Sequence, residues 1–368
     1  MGINIGIVGL PNVGKSTLFS AITKSAVEIA NYPFATIEPN VGVIEIKDDR
    51  IAFLESIYKP KKVIFNWIKF VDIAGLVKGA SEGKGLGNKF LSNIREVDAI
   101  CEVVRCFENK DILHVEGRIN PLDDLKIISF ELILSDMETV NNAIQKIERK
   151  AKNAADKEVI SKYEAFVKAR KILEEEKLIW GNQFSEEEEM HIRSLSLLTN
   201  KPKFFVINVH EDNWTNLESM KEYVELTRYL KTNNFSYVPA VLKFEHELLA
   251  IESEDDKAMF MKEYGMEESA FPKITAKAFE LLDLQTFYTC GQQEVHAWTF
   301  TKGMTAKECA GRIHTDIEKG FIKGEIFNVK DLIENNDPKL LKEKGLIKIE
   351  GKEYRVKDGD ICYFHFKK

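Results

Sequence analysis

The first residues whose types and spacing could do chemistry form a glycine-rich loop. Residues 9–16 read G-L-P-N-V-G-K-S, a full match to the phosphate-loop pattern G-x-x-x-x-G-K-[ST]. Glycines let backbone N–H groups curl around phosphates, and a following helix points its positive dipole end at them. Lys15 would then act catalytically on the β- and γ-phosphates, and the Ser16 hydroxyl would bind Mg²⁺. We therefore predict these nucleotide-binding residues: Pro11, Asn12, Val13, Gly14, Lys15, Ser16 and Thr17.

A second phosphate element is predicted where an apolar strand ends in D-x-x-G, from Asp72 to Gly75. Asp72 would hold Mg²⁺ through water, and the Gly75 N–H would sense the γ-phosphate. Leu76 follows, at the place where Ras-like enzymes carry the glutamine that orients the attacking water. Since leucine has no donor or acceptor, we expect slow turnover and another water-positioning residue. Glycines crowd residues 78–87, which predicts a loop that orders on nucleotide binding.

Two residues near these elements keep alternative interpretations. Asn12 could help to bind K⁺ beside the phosphates, or its side chain could hydrogen-bond its own backbone. Thr36 stands where a first switch loop belongs, so its hydroxyl could complete the Mg²⁺ shell, or it could be an ordinary loop threonine.

The expected guanine-reading motif N-K-x-D is absent from the sequence, and a related turn stands at the end of an apolar strand. There Asn208 is followed by Val209 in place of lysine and, two residues later, by Glu211 in place of aspartate. The extra methylene displaces the carboxylate too far for unaltered bidentate contact with guanine, whereas adenine could use backbone carbonyls near Val209. The turn predicts ATP over GTP, unless it reads no base at all.

The elements that must position these residues are strands alternating with helices, which favours an α/β fold with a parallel sheet covered on both faces. Strands are predicted at 3–8, 41–46, 66–72, 99–105 and 203–208. Between Pro121 and Gly181 there is no proline or glycine, and apolar residues recur every three or four positions. This predicts an antiparallel helical hairpin with its turn near 153–156, or two ordinary helices packed on the sheet.

The pattern changes after about residue 282, where short strands are predicted at 286–289, 295–300 and 361–366. A single helix is predicted from Thr305, as N-cap, to Lys319. These elements favour a small mixed domain at the C-terminal end.

Composition limits the class of protein. The chain has 368 residues, a net charge of -7, 44% hydrophobic and 30% charged residues. This composition is typical of a globular protein. The negative net charge gives no general attraction to nucleic acid or anionic membrane. Five cysteines without a C-x-x-C pair indicate free thiols, and neither a signal peptide nor a membrane-spanning run is present. We expect a soluble cytoplasmic protein that binds neither membrane nor DNA.

The motifs together resemble those of the Obg-like ATPases, also called the YchF family. The resemblance covers nearly the whole chain. Besides the elements above it includes the stretches at residues 31–40, 103–108, 114–117 (H-V-E-G) and 313–316. One departure is that the stretch 238–245 lacks the serine of the family's Ser-Ala-Lys motif, which bears on base contacts through that loop.

The resemblance implies a Ras-like P-loop domain (1–122 and 198–280) interrupted by an α-helical coiled-coil insert (123–197). A β-grasp TGS domain (283–368) would follow. It also implies Mg²⁺-dependent, slow ATP hydrolysis by a monomer that binds the ribosome through its large subunit or rRNA. His114 would position the attacking water, although it could equally be a surface or packing histidine. The last domain offers no clear RNA surface by net charge, since residues 281–368 carry 15 Lys and Arg against 14 Asp and Glu.

Overall fold

The computed structural model describes residues 3–27, 40–73, 86–108, 120–153 and 156–367. Its strands are β1 (Asn4–Val8), β2 (Val41–Glu45), β3 (Lys62–Ile64), β4 (Trp67–Asp72), β5 (Ala99–Arg105), β6 (Lys203–Asn208), β7 (Tyr237–Ala240), β8 (Leu284–Cys290), β9 (Glu294–Thr301), β10 (Phe321–Asn328), β11 (Lys348–Glu350) and β12 (Asp360–Phe366). Its α-helices are α1 (Lys15–Val27), α2 (Asp49–Tyr58), α3 (Leu86–Glu96), α4 (Pro121–Asn153), α5 (Lys157–Glu174), α6 (Glu186–Arg193), α7 (Lys221–Thr232), α8 (Leu242–Leu248), α9 (Glu254–Glu263), α10 (Ala270–Leu281), α11 (Ala306–Ile313), α12 (Thr315–Lys319), α13 (Val329–Asn335) and α14 (Pro338–Glu343).

The first sheet follows the order β2-β4-β1-β5-β6-β7 within the described residues. All neighbouring strands run parallel except β2, which lies antiparallel to β4 at one edge. Strands β5 and β6 are buried along their whole length, which explains why they read as continuous apolar runs. The predicted α/β fold is confirmed, and the antiparallel edge is an addition to it.

Helices cover both faces of this sheet. One core joins the sheet to α1, α3 and α10, with Leu18, Ile94 and Ile274 fully buried in it. The opposite core holds Phe205 of β6 against α7 and α8. Because both faces are covered, the carboxyl ends of β1, β4 and β6 are the edge left for a ligand.

Two long helices interrupt the sheet between β5 and β6, as predicted. Helix α4 has 33 residues, and α5 begins at the N-cap Asp156, whose side chain accepts a hydrogen bond from the Glu158 N–H. The pair shares a core that includes Val140, Phe166 and Leu173. None of the described helices is both long and apolar enough to cross a membrane. The finer prediction of a coiled coil stays a prediction.

The C-terminal residues build a second sheet in the order β11-β10-β12-β8-β9-β3 within the described chain. The three predicted strands are present as β8, β9 and β12. The predicted helix 305–319 is wrong as one element, because His314 is extended (φ -163°, ψ 142°) and separates α11 from α12. Thr305 is the N-cap of α11 and forms a capping box with Glu308. The β-grasp assignment stays a prediction.

Residues 49–65 pack into the second sheet although they precede β4 of the first. Strand β3 pairs with β9 in parallel, and Ile51 and Leu54 of α2 join the core around Tyr288. Just after β3, the Asn66 side chain donates a hydrogen bond of 2.9 Å to the hydroxyl of Thr286. The early chain therefore joins the two sheets, while the predicted domain boundaries themselves stay a prediction.

Candidate nucleotide site

The glycine-rich loop lies between the end of β1 and the start of α1. The Leu18 N–H donates to the Gly14 carbonyl over 2.9 Å and closes the first turn of the helix. The N–H groups before it have no partner inside the helix, so they are available to an anion held in the loop.

Two glycines allow this loop to pack closely. A Cβ at Gly9 would lie 2.6 Å from the Val103 carbonyl oxygen of β5. Gly14 has a φ of +108°, and a Cβ there would lie 2.4 Å from Nδ2 of Asn208. The loop is therefore confined by β5 on one side and by the end of β6 on the other.

Lys15 lies inside this loop, with 8% of its surface exposed. Its Nζ donates a hydrogen bond of 2.7 Å to the Leu10 carbonyl. Burial lowers the pKa of Lys15, and the nearby carboxylate of Asp72 partly opposes this shift. The Lys15 side chain thus crosses the loop, and its ammonium group is placed to contact phosphate oxygens.

Asp72 reaches the loop because β4 lies beside β1, with Asp72 in register with Ile7. Burial raises the pKa of the Asp72 carboxyl, and Lys15 opposes that rise. Ser16 is exposed at the start of α1. Hydroxyl and carboxylate oxygens are the ligands that Mg²⁺ prefers, so these two residues fit a metal shared with phosphates.

Asn208 ties the loop to the far side of the site. Its Nδ2 donates to the Val13 carbonyl over 2.9 Å, and its Oδ1 accepts from the Leu242 N–H over 3.3 Å. The Val209 N–H donates to the Ala240 carbonyl over 3.0 Å. The first two residues of the predicted base motif therefore connect the phosphate loop with the beginning of α8.

Glu211 begins a 3-10 helix (Glu211–Ser219) and meets a lysine that the sequence analysis left out of the site. Nζ of Lys243 lies 3.1 Å and 3.5 Å from the two carboxylate oxygens of Glu211. The contact follows from topology, because β6 and β7 are parallel neighbours and Lys243 comes three residues after Ala240, where β7 ends. The sequence also offered a signal, because Lys243 is the one lysine of the stretch 238–245, where the family's Ser-Ala-Lys motif is expected.

Comparison with known proteins connects this geometry to one family. A family model described as "50S ribosome-binding GTPase" matches residues 4–154. A second model, YchF-GTPase_C, described as "Protein of unknown function (DUF933)", matches residues 284–367. The "Ribosome-binding ATPase YchF" of Bacillus subtilis is 46% identical over all of both chains. The protein of that name from Escherichia coli O157:H7 is 44% identical, over all of this chain and 99% of its own.

The chain belongs to the YchF family. Among solved structures, that of the Schizosaccharomyces pombe YchF GTPase is 36% identical, with a TM-score of 0.88. The match covers 99% of this chain and 98% of that one. The names of YchF proteins differ on the nucleotide, since the bacterial relatives are named as ATPases and the yeast protein as a GTPase.

The predicted YchF site residues fall into two groups. The loop residues with Asp72, Asn208 and Val209 meet at one edge of the first sheet, and Glu211 lies at the same edge. Asn12 is exposed in that loop with a φ of 62°. Thr36, Gly75 and His114 lie outside the described residues, as do Leu76 and most of the glycine-rich segment after it.

Proposed function

We propose that this protein is a Mg²⁺-dependent ATP-binding and ATP-hydrolysing switch that associates with the ribosome. The observation that carries the proposal is the buried ammonium of Lys15, held across a complete phosphate loop and beside the Asp72 carboxylate. The names of the bacterial relatives support both the ATPase activity and the ribosome association, and with it a cytoplasmic location.

The residues of the loop divide the chemistry among them. Backbone N–H groups would hold the phosphates, and Lys15 would exchange its bond to the Leu10 carbonyl for phosphate oxygens. Ser16, Asp72 and Thr36 would hold Mg²⁺, which when bound neutralises the charge that develops on the transferred phosphoryl group. As the resemblance to the YchF family implies, His114 would orient the attacking water, a role that Leu76 cannot take because it has no donor or acceptor. The Gly75 N–H would report the γ-phosphate to the glycine-rich segment.

We propose that ATP is preferred over GTP. Glu211 replaces the aspartate that guanine needs, and Val209 replaces the adjoining lysine. A guanine-binding alternative has its own support, since both family models and the yeast relative carry the word GTPase. Titrating the nucleotide-free protein with ATP and GTP in buffer with Mg²⁺ and K⁺ distinguishes the two. Tenfold tighter ATP binding is expected, whereas equal or tighter GTP binding would overturn the ATP preference.

The same titration tests the loop itself. Lys15→Ala should abolish measurable binding of either nucleotide. Lys24→Ala is the matched control, since Lys24 lies on the same helix and its Nζ contacts Nε2 of His246 at 2.9 Å. Repeating the wild-type titration with Na⁺ in place of K⁺ decides between the two interpretations of Asn12.

A further alternative is a nucleotide-gated binding module that hardly hydrolyses ATP. Single-turnover hydrolysis with and without ribosomes separates this from the proposed switch. We expect slow hydrolysis that ribosomes accelerate, and no acceleration in either condition would favour the binding module. His114→Ala should lower the rate and leave the Kd for ATP unchanged if His114 orients the water.

We further propose that the tip of α4 and α5 makes the ribosome contact. Five exposed cationic side chains lie within residues 146–157, against two acidic ones, in a chain whose net charge is -7. The cations are Lys146, Arg149, Lys150, Lys152 and Lys157. A local positive surface of this kind attracts phosphate backbones, because its neutralisation releases counterions.

Reversing three of these charges tests the contact. Lys146→Glu, Arg149→Glu and Lys150→Glu together should weaken cosedimentation with ribosomes at least tenfold. The salt dependence should also become shallower, by about one unit of log–log slope per lost phosphate contact. The control reverses Lys339 and Lys342, which are exposed on α14. A loss confined to this control would move the contact to the C-terminal residues.

A further inference from the structure

The exposed side chain of Lys243 forms an ion pair with Glu211 that it does not need for its own solvation. It is 65% exposed, so its ammonium could remain fully solvated, and Glu211 beside it is only 18% exposed. Nζ nevertheless lies within 3.1 Å and 3.5 Å of the two oxygens of that carboxylate. A second acid, Glu247 one turn along α8, is farther away at 3.9 Å.

The stability of the fold gives little reason for this pairing. Exposed ion pairs contribute little to folding, because water and salt screen the charges and each pair restricts two flexible side chains. The position of the pair is more informative. Leu242, next to Lys243, donates its N–H to Asn208, whose side chain also holds the phosphate loop. Through Leu242, the ion pair thus lies close to Asn208, which connects the predicted base-binding side of the site with the phosphate loop.

We propose that Lys243 is a specificity-determining residue that keeps the Glu211 carboxylate away from guanine. This inference rests on the proposed nucleotide function. Guanine is recognised by donating two N–H groups to one free carboxylate, and an ammonium bound to both oxygens weakens them as acceptors. Adenine presents an acceptor at N1 and an amino group at N6, so it loses nothing when the carboxylate is occupied.

The test measures the ratio of the Kd values for GTP and ATP by calorimetry in Mg²⁺ and K⁺ buffer. Lys243→Met removes the charge and keeps most of the side-chain stem. We expect GTP binding to tighten at least fivefold relative to ATP, with ATP affinity changed less than twofold. Lys243→Arg should keep the wild-type ratio. Lys273→Met is the matched control, because Lys273 is also exposed and pairs with Glu268 at 3.1 Å, in an ion pair that the site does not use.

A second variant shows whether Glu211 transmits the effect. In a Glu211→Gln background, Lys243→Met should no longer change the ratio. The proposal is overturned if the ratio moves less than twofold, if both affinities weaken equally, or if the shift persists without the carboxylate. These outcomes are separate from the proposed ATP preference, because the starting ratio of the wild type tests that preference and only the change in ratio tests Lys243.

Discussion

At the residue scale, the phosphate loop depends on positions where no side chain fits. The glycine at position 14 combines a positive φ with close contact to Asn208, and Asn208 in turn holds the Val13 carbonyl. The pattern G-x-x-x-x-G-K-[ST] is typical of a loop whose backbone N–H groups bind phosphate. The structure shows which neighbouring residues confine that loop. A single methyl group added at Gly14 should therefore weaken nucleotide binding. A methyl group added at another glycine with positive φ shows the effect of backbone strain alone.

We expect Gly14→Ala to weaken nucleotide binding by at least about tenfold, or about 1.4 kcal/mol. The new Cβ would lie 2.4 Å from Nδ2 of Asn208, so either the loop or that side chain must move. Gly181→Ala is the control, because Gly181 has a φ of +85° and no atom of the described residues lies within 4 Å of the added Cβ. It should lower stability by about 1–2 kcal/mol and leave affinity unchanged. Calorimetry and thermal unfolding of both variants check this, and equal affinities for the two variants would contradict it.

The sequence could predict the loop between β1 and α1 but missed the ion-pair partner of Glu211. Residues 9–16 carry their chemistry in one contiguous run, which a pattern can recognise. Lys243 lies 32 positions from Glu211, and only the parallel pairing of β6 with β7 brings the two together. A pattern read along the chain contains no information on that register, so the ion pair had to come from the fold.

At the element scale, long apolar runs were predicted well and short or irregular elements were not. Strand β3 has only three residues, and its partner strand begins at Glu294, far along the chain. Strand β10 was missed because a register shift between Phe321 and Lys323 disturbs its alternation. His314 breaks a stretch with helical spacing because its Nδ1 accepts from the Asp316 N–H over 3.1 Å and caps a new helix.

One buried ion pair joins β5 and β6 beneath the helical insert. Nζ of Lys203 lies 3.0 Å from Oε2 of Glu102, and the two side chains are 2% and 0% exposed. Lys203 also reaches the hydroxyl of Ser129 on α4, at 3.3 Å. Burial raises the pKa of Glu102, and the ammonium of Lys203 opposes that rise. The pair therefore holds the insert to the sheet that carries the site.

We expect Lys203→Met to destabilise the protein by about 3–5 kcal/mol, because it leaves the Glu102 carboxylate buried without a counterion. Adding Glu102→Leu should recover most of that loss. The single variant should lose more stability at pH 8 than at pH 5, since folded Glu102 then has a still higher pKa and ionises in the fold only at a cost. Urea unfolding of the wild type, the single and the double variant at both pH values measures this. A double variant no more stable than the single one would contradict it.

At the scale of the whole molecule, residues 49–65 connect the nucleotide-binding sheet with the C-terminal sheet. Beyond the pairing of β3 with β9, the Arg50 guanidinium bonds to Asp48 at 2.8 Å and to Asp358 at 2.6 Å. The Asp48 carboxylate also accepts a hydrogen bond from the Tyr288 hydroxyl, and the Asp358 carboxylate accepts from the Thr286 N–H over 2.9 Å. Residues 49–65, which come early in the chain, thus belong to the core of the C-terminal sheet. We infer that the two sheets unfold together.

The five cysteines can test this cooperativity, since all are free and buried. Cys101 and Cys106 belong to the first sheet and its cores, and Cys290, Cys309 and Cys362 to the second. Burial raises the pKa of Cys106, Cys290 and Cys309 to about 12, so their native thiols stay protonated and unreactive at pH 9.

Alkylation at pH 9 in increasing urea, followed by intact-mass analysis, should therefore yield molecules carrying either no label or five. Accumulation of molecules with two or three labels would mean that the sheets unfold separately and that the shared segment does not couple them. Stability should also fall as the pH rises from about 9 towards 12, because unfolded thiols release protons that the native thiols keep. Asn66→Ala, which removes the bond to Thr286, should shift the five-label transition to lower urea without splitting it.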